Sequence, residues 1–149
     1  MNKIVILLAA IVLVAATVFT GGFGLFGPSG NAIAGGSYTI PLSDISGTAK
    51  FYEHQSGGTT ITFFVVKASD GTIKTGFDAC DVCYSTKKGY RQEGEYMVCN
   101  NCGNKYPIVE LGTENKRPGG CWPGYLPSRI EGENIVIQNS DLEEGKWRF

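Results

Sequence analysis

Five cysteines carry the chemistry this sequence offers. Cys80 and Cys83 are two residues apart, as are Cys99 and Cys102, with fifteen residues between the pairs. That spacing is the pattern of a two-knuckle metal site. A two-residue gap lets one tight turn present both sulfurs to a single ion, and a hairpin between the pairs would set the second turn beside the first. Four thiolates then form the tetrahedral cage that Zn²⁺ or a single iron accepts at about 2.3 Å. Gly103 directly follows Cys102, where a positive φ would let backbone amides turn toward sulfur. Two other uses of the same residues stay open. In an oxidising compartment they would form disulfides, within or between pairs, and Cys80 with Cys83 would make a thiol–disulfide oxidoreductase dithiol.

Cys121, in Gly119-Gly120-Cys121-Trp122-Pro123, is the odd thiol. Glycines before it and a proline after it suggest a constrained turn that presents the sulfur. It would bind a second metal, replace one of the four ligands, or sit inert as a small hydrophobe. Asp78 and Asp81 flank Cys80 and read as turn-stabilising carboxylates before hard iron ligands. His54, the single histidine, reads as an ordinary strand residue. Lys87, Lys88 and Arg91 lie between the pairs, either offsetting the negative charge of a thiolate cage or simply solvated. Phe77, Tyr84, Tyr90, Tyr96, Tyr106 and Trp122 read as the packed shell of the site. There is no Gly-x-Ser-x-Gly elbow and no phosphate loop. The reading is therefore a non-enzymatic metal-binding or electron-transfer protein.

The elements that must position these cysteines are strands. Glycine is abundant, 21 of 149 residues, and helix-forming blocks are missing beyond the first twenty residues. We expect a mainly β, small antiparallel domain with a zinc-ribbon-like hairpin carrying Cys80, Cys83, Cys99 and Cys102. Residues 60–67 are rich in β-branched and aromatic types, Ser69-Asp70-Gly71 offers turn chemistry, and residues 72–77 return the chain to Cys80. A second hairpin, residues 89–92 and 95–98 about Glu93-Gly94, joins the two pairs. Shorter strands are expected at 38–42, where Pro41 suggests an edge, and at 51–54, 106–109 and 134–138. Residues 114–127, with three prolines and three glycines, read as an ordered loop. Ile40-Pro41-Leu42-Ser43-Asp44-Ile45 echoes Ile137-Gln138-Asn139-Ser140-Asp141-Leu142, which we read as a strand running twice into a Ser/Asp-capped turn.

The N-terminus sets the address. Residues 4–19 carry no charge, and apolar character continues to Phe26. About twenty apolar residues suffice to span a bilayer as a helix. Residues 1–26 thus read as an N-terminal membrane anchor, with a cleaved signal peptide ending at Ala32-Ile33-Ala34 as the alternative. Residues 27–36 read as a flexible linker and 37–149 as the cysteine-rich domain. With Lys3 held on the cytoplasmic side, either reading places the domain on the extracytoplasmic face of the cell membrane. A net charge of −1, without a basic run, argues against a nucleic-acid partner.

Several of these segments together resemble one family. Phe63-Phe64-Val65-Val66-Lys67, Asp70-Gly71 and Phe77-Asp78-Ala79-Cys80-Asp81-Val82-Cys83-Tyr84 resemble the FtrD-like family of membrane iron–sulfur proteins. So do Lys88-Gly89-Tyr90-Arg91-Gln92-Glu93-Gly94, Met97-Val98-Cys99-Asn100-Asn101-Cys102-Gly103 and Gly119-Gly120-Cys121. The resemblance runs from about Ile40 to Phe149. It implies iron or an iron–sulfur cluster as cofactor, with zinc the alternative from spacing alone, and a role in electron transfer or iron handling beside an iron permease or redox partner. It also adds Cys121 to Cys80, Cys83, Cys99 and Cys102 as a cofactor-binding position.

Overall fold

A computed structural model describes residues 31–33, 36–112 and 120–149. The expected anchor at 1–26 lies outside the described residues, as do most of the linker and part of the 114–127 loop. Among the described residues, no helix is long and apolar enough to cross a membrane.

Among the described residues, ten strands and one short α-helix follow in chain order: β1 (Asn31–Ile33), β2 (Ser37–Pro41), β3 (Lys50–Ser56), β4 (Thr59–Lys67), β5 (Ile73–Phe77), β6 (Tyr90–Glu93), β7 (Tyr96–Cys99), β8 (Lys105–Pro107), β9 (Arg129–Glu131), β10 (Asn134–Gln138) and α1 (Asn139–Gly145). They form three antiparallel sheets, ordered β1-β2-β10-β9, β3-β4-β5 and β6-β7-β8. The mainly antiparallel β character expected from the sequence is therefore present.

The β3-β4-β5 sheet is the central layer, and β4 shows why. Its alternate residues Ile61, Phe63 and Val65 belong to one hydrophobic core, with Tyr38, Ile40, Tyr52, Ile135, Ile137 and Leu142. Phe64 and Val66 point the other way, into a second core with Met97, Tyr106, Ile108 and Leu111. A strand covered on both faces reads as an unbroken apolar run, not an alternating one. That is the pattern of Phe63-Phe64-Val65-Val66. The turn after β4 is fixed by its own residues. The Asp70 carboxylate accepts the Thr72 N–H at 2.9 Å, Gly71 donates to the Ala68 carbonyl at 2.9 Å, and Gly71 takes φ +85°.

Three expectations need correction. β2 is not an edge strand: it lies between β1 and β10. Among the described residues its pairing with β1 runs from Ser37 to Thr39, and Pro41 faces Asn134 of β10. The two echoed segments are strands paired with each other, Tyr38 opposite Ile137 and Ile40 opposite Ile135. Neither is closed by a Ser or Asp side chain. A 3-10 turn (Leu42–Asp44) and α1 follow them, and neither has a side-chain cap. Helix α1 is held by tertiary burial: Leu142 is fully buried, and Gly145 lies so close against the Phe77 ring that a β-carbon there would overlap it. Finally, the strand expected at 106–109 stops at Pro107, which starts a 3-10 turn (Ile108–Glu110). Strand β1 falls within the 27–36 stretch read as linker.

Candidate metal centre

The site forms where the second core meets the end of the central sheet. Strand β5 runs out of Phe77 into Asp78-Ala79-Cys80. Strand β7 ends on Cys99, and the turn beyond it carries Cys102. That turn is closed by hydrogen bonds from Gly103 N–H to the Cys99 carbonyl (2.9 Å) and from Cys99 N–H to the Asn104 carbonyl (3.0 Å). Gly103 takes φ +75°, the conformation its position after Cys102 predicted. The first pair is built differently. Cys83 is followed by a 3-10 turn (Tyr84–Thr86) that ends on Lys87 in the left-handed region, at φ 51°. Inside this first turn, the Cys83 N–H donates to the Cys80 sulfur at 2.9 Å.

Cys121 reaches the same place along the free edge of β5. Phe77 N–H donates to the Gly124 carbonyl, Gly124 N–H to the Ala79 carbonyl, both at 2.8 Å, and Gly76 bridges to Tyr125. The approach is close because Gly76 has no side chain: a β-carbon there would stand 2.9 Å from the Phe64 ring and 3.3 Å from Pro123. Two tyrosines then fix the Cys121 backbone. The Tyr106 hydroxyl accepts its N–H, and the Tyr90 hydroxyl donates to its carbonyl, each at 2.5 Å. These tyrosines flank β7, with Tyr90 opposite Cys99 and Tyr106 opposite Met97. One face of the β6-β7-β8 sheet thus holds both clamps and one of the sulfurs. Trp122 packs on Tyr106 at 4.6 Å between ring centroids.

The sulfur atoms of Cys83, Cys99, Cys102 and Cys121 all lie within 4.8 Å of one another. Sulfurs placed tetrahedrally about 2.3 Å from an ion are about 3.8 Å apart, so this set fits a metal. Cys99 and Cys121 are buried, Cys83 is half-buried and Cys102 is exposed, so the site opens to solvent on one side. Cys80, buried, stands beside this set as the acceptor for Cys83 N–H. All five cysteines are unpaired. The Cys83 and Cys121 sulfurs are 3.0 Å apart, well beyond a disulfide bond of about 2.05 Å.

Charge divides unevenly among the thiols. The Cys83 thiol is lowered to about 7, chiefly by the hydrogen bond from Cys121 and next by the Asn101 amide, 3.4 Å away. Burial, first, and its neighbouring thiols push Cys121 up. Of this metal-free pair, Cys83 is the more acidic thiol and Cys121 the less acidic. Cys99 is raised by burial, against which the backbone N–H groups of Cys102 and Asn101 stabilise its thiolate.

The other residues singled out in the sequence fall into structural places. Asp78 accepts the Tyr90 N–H at 2.6 Å, and Asp81 pairs with Arg148 at 2.7 Å. Arg91 is engaged by Glu93 and Asn100. His54 lies on β3, 3.5 Å from Glu143. Of the aromatic shell, Tyr90, Tyr106 and Trp122 pack with the cysteines, whereas Phe77 belongs to the first core. Tyr96 and Tyr84 are exposed, Tyr84 packing edge-on against Trp147. Arg148 went unnoticed in the sequence, because nothing local marks a residue 67 positions from Asp81 as its partner.

Over residues 45–149 the chain matches the model of a family described as "membrane iron-sulfur containing protein FtrD-like". No curated protein matches the chain. The match covers all five cysteines, both clamping tyrosines and the sheets that carry them, so the domain described above is a member of the FtrD-like family of membrane iron–sulfur containing proteins.

Proposed function

We propose that this protein is a membrane-tethered, extracytoplasmic carrier of iron, as a single ion or an iron–sulfur cluster, acting in electron transfer or iron handling beside a membrane transport system. One observation carries the reading: four cysteine sulfurs from three separate segments lie within 4.8 Å of one another. Their chemistry fits the cofactor that the family name implies. In this reading Cys83, Cys99, Cys102 and Cys121 hold the iron, and Cys80 holds the first turn in shape by accepting the Cys83 N–H.

Bound iron supplies a one-electron couple. The chain's own residues set the conditions for it. Tyr90 and Tyr106 hold Cys121 in place through its backbone. Burial of Cys99 and Cys121 excludes water from one side, and the Asn101 amide and backbone N–H groups aimed at sulfur stabilise thiolate charge. Hydrogen bonds to sulfur and solvent exposure are the means by which a protein tunes such a site. The exposed Cys102 gives a partner a short approach. The N-terminal apolar run supports the tether and its flanking Lys3 the sidedness.

A second reading has its own support. Cys80, Cys99 and Cys121 are part of the second hydrophobic core, so a zinc ion there would act as a structural staple within a binding or scaffold module. Anaerobic purification separates the two. The iron reading expects a coloured protein with stoichiometric iron and a reversible redox response. The zinc reading expects a colourless protein with one zinc.

A further inference from the structure

Beside the sulfurs lies a cavity of 410 Å³, within the range of small-molecule sites, about 300–1,000 Å³. Cys80, Cys83 and Cys99 form part of its lining, so whatever occupies it stands against the metal centre. The rest is rich in donors. Thr59, Thr60 and Thr62 of β4 bring hydroxyls, and Lys87, Lys88 and Arg148 bring positive charge from two distant parts of the chain. The one side-chain carboxylate in the lining, Asp78, is engaged by the Tyr90 N–H.

Two of these cations, Lys87 and Lys88, are unspent. Arg91, Lys105, Arg129 and Lys146 each pair with a carboxylate, but among the described residues neither Lys87 nor Lys88 does. Arg148 is held through Nε by Asp81, and its side chain is only 12% exposed. Its guanidinium lies over the Trp147 ring, 4.3 Å from the centroid. Among the described residues its two NH₂ groups, which suit bidentate contact with a carboxylate, carry no hydrogen bond. Lys87 is also the one non-glycine residue with positive φ among the described residues. Backbone strain of this kind gathers at ligand clamps.

We propose that this cavity binds a small polycarboxylate, its carboxylates on Lys87, Lys88 and Arg148 and its remaining oxygens on the threonine hydroxyls. The class follows from the shape of the charge. An inorganic oxyanion would fill little of 410 Å³ and engage the cations at one point, whereas a di- or tricarboxylate spans several. Any thiolate in the lining repels an anion at contact, so the ligand is held on the wall that carries Lys87, Lys88 and Arg148. The ligand arrives either free or as the chelate of a ferric ion, and the chelate would bring its metal beside the sulfurs. The proposal rests on the cavity and not on which metal the sulfurs hold: a protein that contains zinc would leave it standing.

The test is calorimetric titration of the full-length chain with citrate and, separately, with redox-inert gallium citrate. Saturable binding is expected. Combined Lys87→Gln and Lys88→Gln substitution should weaken it by about tenfold or more, as should raised salt in the wild type. Metal content and circular dichroism of the double variant should match the wild type, which separates lost binding from lost folding. Equal binding of both probes assigns the free carboxylate, and binding of gallium citrate alone assigns the chelate. The proposal is overturned by no saturable binding of either probe, by undiminished binding in the folded double variant, or by inorganic phosphate binding as tightly as citrate.

Discussion

The Tyr106 hydroxyl accepts the backbone N–H of Cys121 at 2.5 Å, from fifteen residues away in the chain. Both residues are buried, so the bond is sheltered from water that would otherwise compete for it. With Tyr90 donating to the carbonyl of the same residue, the peptide groups on both sides of Cys121 are held by one sheet, and the sulfur is delivered to its three neighbours. Tyr106→Phe leaves a buried N–H without a partner, at a cost of about 1–3 kcal/mol. Because the group lost orients a ligand, metal affinity should also fall by about 10–100-fold. A competition titration against a chromophoric chelator measures that fall. Unchanged affinity in a folded variant would show that the clamp does not position Cys121.

Gly89 is a second point where space decides. It takes φ +62° just before β6, and a β-carbon there would stand 2.5 Å from the Asp78 carboxylate. That carboxylate accepts the Tyr90 N–H, so displacing it also disturbs the tyrosine that holds Cys121. Gly89→Ala should destabilise the fold by more than about 1 kcal/mol, from the left-handed backbone alone, with the Asp78 clash in addition. Urea denaturation checks this, and a midpoint equal to wild type would contradict it.

Tyr52 offers a gain. Its ring is buried against Tyr38 and Phe63 in the first core, and among the described residues its hydroxyl has no hydrogen-bond partner. Burial, first, with nearby Asp44 and Tyr38, pushes its pKa up to about 12, which keeps it neutral. Tyr52→Phe removes the unpaired group and keeps the ring, so stability should rise by about 1 kcal/mol. A lower melting temperature in the variant would mean that the hydroxyl has a partner in solution.

Metal removal should act on one half of the domain. The second core includes Cys80, Cys99 and Cys121, whereas the first contains no cysteine. Chelation should therefore speed amide hydrogen exchange in β6, β7 and β8 and leave β2, β3 and β10 protected. Uniform loss of protection would show instead that the metal supports the whole fold.

Much of this was legible locally. The β4–β5 hairpin announced itself through β-branched runs and an Asp-Gly turn, and the Cys99 turn through Gly103 at positive φ. What spacing does not encode is which sulfurs converge. Cys121 enters the four-sulfur set because Gly76 lets residues 123–125 lie along β5 and because two tyrosines hold its backbone. Those are contacts between residues far apart in sequence. Helix α1 was hidden for the same reason: its signal is packing on Phe77 and the buried Leu142, not a capping side chain. Arg148, paired with Asp81 beside the cavity, belongs to this group too.

The most direct test is the metal content and visible spectrum of the anaerobically prepared full-length protein, beside its Cys121→Ser variant. The expected result is stoichiometric iron with reversible visible absorption in the wild type, and loss of both in a variant that keeps its circular dichroism. A colourless wild-type protein holding one zinc would contradict the account, as would a Cys121→Ser protein that retains its iron undiminished.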